Sequence, residues 1–173
     1  MKNNRLKYLL PFAVIFVLAG NYIQSILTTV QVLFLIKPVS FLVGEFLGVT
    51  FSYSDVAGFL CNEYPIAIEK SCSGFTFFTM LILLGIVTYF LFSESVNLKK
   101  SIRSVSLVLL FSYLFTLLVN SIRIITGIKL QIFSLAHSWF PNHIVHELMG
   151  VLYFLLSMVL FYTMVKNQKS KIC

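Results

Sequence analysis

Apolar residues along this chain gather in long runs, and short basic clusters separate them. Four runs come close to the roughly 20 residues that a helix needs to cross a hydrocarbon core about 30 Å thick. They cover 8–26, 75–92, 105–125 and 144–165. A fifth stretch, Val30 to Val49, is also apolar but holds Lys37, Pro38 and Glu45. A charge near mid-bilayer costs at least about 2.5 kcal/mol. This stretch is therefore expected to lie in the interface, as a helix broken at Pro38, or to be re-entrant.

Between the first two runs, in segment 27–71, the period changes. Val49, Phe51 and Tyr53 alternate with Thr50, Ser52 and Ser54, the two-residue repeat of a strand. Asp55 to Gly58 reads as a turn, and Tyr64, Ile66 and Ile68 resume the alternation. The expected fold class is all-α integral membrane. It is a four-span helical bundle with an interfacial helix and a small extracytoplasmic β-hairpin between spans one and two. The 173 residues carry no internal repeat or low-complexity tract, so 1–173 is read as a single membrane domain.

Composition supports the membrane reading. Apolar residues make up 58% of the chain and charged residues 11%, against about 25% charged in soluble domains. The net charge of +7 could mark a nucleic-acid partner, but its distribution argues otherwise. Lys2, Arg5 and Lys7 precede the first run; Lys99, Lys100 and Arg103 lie between the second and third; Lys166, Lys169 and Lys171 follow the fourth. With four spans, these nine of the thirteen basic residues share one face, which the positive-inside rule makes cytoplasmic. Both termini are then cytoplasmic, in the inner membrane of the cell. The outer face receives Lys37, Lys70, Arg123 and Lys129, with Glu45, Asp55, Glu63 and Glu69. The first run has a basic start and the small pair Ala19-Gly20 but no clear A-x-A cleavage site, so it is read as a span.

Three residues converge on that outer face. Cys72 lies at the outer end of the second run, with Ser71 as its expected N-cap and Cys72 in the first helical turn. Lys70 and the helix dipole there favour a thiolate, while Ser73 and Gly74 allow close approach. Arg123 ends the third run with Asn120 three residues earlier on the same helical face. His146 opens the fourth run, four residues before Gly150. Each has an ordinary reading: a packing cysteine, a snorkelling arginine, an interfacial histidine. Together a thiol, an imidazole and a fixed cation suffice for acyl transfer through a thioester. His143, His146 and Glu147 could instead form a metal site, but H-E-x-x-H is absent because position 150 is Gly. No CxxC pair occurs among Cys61, Cys72 and Cys173. No cofactor or metal is therefore assigned. Cys61, also outside, is expected to be free or to lock Cys72 by oxidation.

The boxes "SCSG" at 71–74, "NSIR" at 120–123 and "HELMG" at 146–150 resemble the exosortase/archaeosortase family of membrane cysteine transpeptidases. The segment "KPVSFLVGEFLGVTFSY" and the glycine-centred stretch near Gly58 look most like the exosortase K branch. The resemblance covers Leu35 to Tyr162. It implies Cys72 as nucleophile, Arg123 as oxyanion or substrate stabiliser and His146 as acid–base, with Ser73, Gly74, Asn120 and Gly150 supporting. It implies cleavage of exported proteins that bear a C-terminal sorting helix, at the outer face of the membrane. Substrate proteins and membrane lipids are then the partners, nucleic acid is not, and the acceptor nucleophile is open. A non-enzymatic assembly or lipid-binding protein is the alternative from a different class.

Overall fold

The computed structural model describes the backbone of residues 2–63, 67–92, 98–137 and 142–170, and the side chains of 11–63, 67–88, 102–130 and 150–165. Five helices dominate: α1 (Lys2–Ile26), α2 (Leu33–Leu47), α3 (Phe75–Phe92), α4 (Leu98–His137) and α5 (Asn142–Ser170). Three strands lie between α2 and α3: β1 (Phe51–Ser54), β2 (Gly58–Cys61) and β3 (Ala67–Ile68). Among the described residues, three helical stretches are long and apolar enough to cross a membrane: Val30–Leu47, Lys70–Thr88 and Ile102–Leu130. Pro11–Ile26 and Gly150–Val165 are shorter apolar helices. The protein is thus mostly helical with several apolar helices and a small sheet.

The chain forms two compact units. The first comprises 1–26, 76–115 and 158–173. In it α1 meets α3 where Gly20 faces the Thr79 hydroxyl, and Thr76 donates a hydrogen bond to Gln24. Phe111, Phe115 and Phe161 cluster with ring centroids 5.4 to 6.0 Å apart, a spacing at which offset and tilted rings attract.

The second unit comprises 27–75 and 116–157 and holds the sheet and the candidate chemistry. Its α2 corrects the expected break at Pro38: the helix runs through this proline. Proline removes one ladder bond, the one to the Phe34 carbonyl, and crowds that turn, at a cost of about 3 kcal/mol. The buried stripe continues in phase on both sides. Leu35, Ile36, Val39 and Val43 are fully buried, and packing a helical stripe of this kind offsets the cost of one lost bond. The Ser40 hydroxyl donates to the Lys37 carbonyl at 2.9 Å.

The sheet is antiparallel, in the order β1-β2-β3, and corrects the expected two-strand hairpin. Its second strand is Gly58–Cys61, which directly follows the turn; the Ala67–Ile68 stretch becomes the third strand, and 64–66 lie outside the described residues. Gly58 is the reason. It reads as a turn residue, yet it pairs with Ser54 as the first residue of β2, with φ 81°. A Cβ there would lie 2.5 Å from the Ile68 carbonyl oxygen, so only glycine lets β3 come alongside. The far end of the β1-β2 ladder is closed by side chains. Glu63 accepts the Thr50 hydroxyl at 2.9 Å, the Thr50 N–H at 3.1 Å and the Cys61 thiol at 3.4 Å. Asn62 donates to the Thr50 hydroxyl and accepts from Ser52.

Two outcomes follow. Gly58→Ala should destabilise the sheet by about 1–3 kcal/mol from the backbone conformation alone, with the clash adding to it. Thermal unfolding of the solubilised chain measures this, and an unchanged midpoint would contradict the packing described. The Thr50 hydroxyl bond holds the Glu63 carboxyl below its ordinary pKa. A carboxyl lowered in the folded state stabilises at pH above its unfolded value and loses that contribution as pH falls through the folded value. Amide-exchange protection at Thr50 and Asn62 should therefore drop on acidification, and Glu63→Gln should flatten that dependence.

Candidate active site

The cysteine box is not the start of α3, contrary to the expected Ser71 N-cap. Lys70–Cys72 forms a separate 3-10 turn, with the Cys72 N–H donating to the Glu69 carbonyl at 2.9 Å and the Ser73 N–H to Lys70 at 3.1 Å. Gly74 then takes φ 70°, which ends this turn before α3 begins at Phe75. The Ser73 hydroxyl, fully buried, accepts the Phe75 N–H at 3.3 Å and serves the helix start in place of Ser71. Cys72 is consequently carried on a tight turn ahead of the helix, half-buried, with the Ser71 hydroxyl 3.8 Å from its Sγ.

One side chain joins this turn to α4. Asn120 is fully buried, and its Nδ2 donates to the Cys72 carbonyl at 2.6 Å. Its Oδ1 accepts from Arg123 Nε at 3.2 Å. The amide orientation follows from these two partners, since a carbonyl oxygen only accepts and a guanidinium only donates. Gly74 makes the approach possible: a Cβ at that position would lie 3.1 Å from Asn120 Cγ and 3.4 Å from Thr116 Cγ2. Two of the three sequence boxes therefore meet through a hydrogen-bonded chain from the Cys72 backbone to Asn120 to Arg123.

Arg123 is held on two further sides. Its guanidinium carbon lies 5.2 Å from the centroid of the Phe154 ring, within cation–π range. Its Nη1 lies 3.4 Å from where a Gly150 Cβ would be. The third box thus reaches the same place through Gly150. Among the described residues no hydrogen-bond acceptor takes the Nη hydrogens. His146 belongs to α5, one turn before Gly150; its side chain, like those of His143 and Glu147, lies outside the described residues. Cys61 and Cys72 are both free thiols.

Sequence reasoning missed Thr116 and Phe154. Both stand four residues from a residue it had chosen, Asn120 and Gly150, and so share its helical face. A cavity of about 540 Å³ lies between α2 and the first two strands, with Lys37, Glu45, Phe51 and Phe59 in its lining. None of the candidate site residues lines it.

The family model of the transmembrane exosortases matches residues 4–163, a span that includes all three boxes. The chain belongs to that family. No curated protein and no solved structure matches it. Exosortase membership makes the chain a membrane protein and accords with a peptidase or transpeptidase role. In exosortase terms, the Asn120 amide is the piece that ties the cysteine turn to the arginine.

Removing that amide has a measurable consequence that does not require turnover. In a chain where Cys72 is the remaining thiol, a guanidinium held nearby favours alkylation by anionic iodoacetate over neutral iodoacetamide. Asn120→Ala should lower that rate ratio roughly 3- to 10-fold, the range expected for one charge interaction lost at intermediate dielectric. Gly150→Leu should do the same by displacing the guanidinium, whereas Gly150→Ala should leave the ratio nearly unchanged. An unaltered ratio in Asn120→Ala would break the link drawn between the two boxes.

Proposed function

We propose that this exosortase is a membrane cysteine transpeptidase or peptidase that cleaves the C-terminal sorting signal of exported proteins. The observation that carries the reading is the Asn120 amide, which bonds the Cys72 carbonyl at one end and Arg123 at the other. Buried polar groups are satisfied only in specific arrangements. One that joins a thiol-bearing turn to a cation is what a nucleophile and its electrophilic partner need.

In this mechanism the Cys72 thiol gives its proton to His146 and the sulfur attacks the scissile carbonyl carbon. The carbonyl oxygen becomes an oxyanion and takes hydrogen bonds from the Nη groups of Arg123. On collapse, the carbon–nitrogen bond breaks and His146 returns the proton to the departing amine, leaving a thioester on Cys72. An acceptor amine, or water, then attacks the thioester and frees the thiol. Ser73 and Gly74 shape the turn, and Asn120 and Gly150 position the arginine.

The proposed topology has four spans, with both termini in the cytoplasm and the site at the outer face of the inner membrane. Nine basic residues on one side support it. So do the exposed Lys37 and Glu45 on α2, which speak against that helix crossing even though its length and composition allow it. The segment around α2 and Gly58 supports assigning the chain to the exosortase K branch.

Cys72→Ala should abolish processing of a co-expressed protein bearing a sorting helix and basic tail, by about 10³-fold or more, while the variant still accumulates in the membrane. A substrate adduct that hydroxylamine releases should form on Cys72 and not on Cys61. Processing that continues in Cys72→Ala would refute the assignment and favour a non-enzymatic role.

A further inference from the structure

A groove of about 400 Å³ runs between α2 and α4, outside the candidate active site. Leu42 and Phe46 form one wall, and Leu118, Ile122 and Ile125 the other. Phe46 is 68% exposed and Leu118 58%, so no described residue covers this apolar surface. From the structure we infer that the groove seats an acyl chain of an anionic phospholipid, with the headgroup at Lys129.

Two features select that occupant. The first is length. Leu118 to Lys129 spans eleven residues of helix, about 16 Å, which is roughly half the hydrocarbon thickness. That depth suits a chain from one leaflet; a crossing helix would need a seat through both. The second is charge. Lys129 closes the groove with its Nζ 5.4 Å from the Phe46 ring centroid. It makes no ion pair among the described residues, and no carboxylate lines the groove to receive the ammonium of a zwitterionic lipid. A headgroup of net negative charge is the complement.

This inference rests on membrane membership and not on the cysteine chemistry, so either can fail alone. The test uses the full chain. Native mass spectrometry in detergent with equal amounts of phosphatidylglycerol and phosphatidylcholine of identical acyl chains should show preferential retention of phosphatidylglycerol. Lys129→Ala should reduce the preference about fivefold, the value of one basic residue at an anionic surface. Equal retention of both lipids by the native chain would overturn the proposal, and so would a preference that survives Lys129→Ala. In a second arm, benzoylphenylalanine at position 42 is irradiated in membranes containing phosphatidylglycerol. A lipid-sized adduct is expected. A crosslink to a second copy of the chain, or to another protein's helix, in place of lipid would assign the groove to a protein partner and overturn the lipid seat. Circular dichroism of each variant confirms that the helical content is retained.

Discussion

A buried carboxamide is the constraint on which the candidate site depends. Asn120 has no exposed surface, so each of its polar atoms must find a partner inside the protein or carry a desolvation cost of about 1–3 kcal/mol. The Cys72 carbonyl and the Arg123 Nε meet that demand from opposite sides. A donor and an acceptor on one planar group leave little latitude: shifting the turn or the arginine breaks a bond that water cannot replace. Two segments 48 residues apart in sequence are thereby held in register by a single side chain.

Absent side chains matter as much as present ones. Gly74 lets the amide reach the turn, and its left-handed backbone sends the chain from the 3-10 turn into α3. Gly150 leaves room for the guanidinium, which lies over the ring of Phe154 one turn further along α5. In this chain each box sets a small residue beside a polar one, and the polar contacts are short because the neighbouring bulk is absent.

Much of this was legible in the pattern of residues. Long apolar runs mark α3 and α4, because apolar surface and helix length are local properties. The three boxes could be read because cysteine, arginine and histidine are uncommon in apolar helices and carry few bland explanations when they occur together. What escaped depended on three-dimensional packing. The start of α3 was misplaced because Ser71 and Ser73 are equally good caps by chemistry, and only the φ of Gly74 separates them. The proline in α2 signalled a break, but the stripe of Leu35, Ile36, Val39 and Val43 outweighs one lost bond. The strand Gly58–Cys61 was hidden because a glycine after a turn usually belongs to the turn, and here the closeness of Ile68 makes it the first rung of a ladder. Phe154 could not be singled out, since one more phenylalanine on an apolar helix announces nothing until a guanidinium is found on its face.

The choice of an amide at position 120 has a corollary for acidic surroundings. A carboxylate in that place could also receive Arg123, but it would gain a proton as the medium turned sour, and it would repel the carbonyl of the cysteine turn. An uncharged amide does neither. The amide links that aim the guanidinium are therefore indifferent to proton concentration, and acid can alter titratable groups nearby without dismantling the frame that presents them.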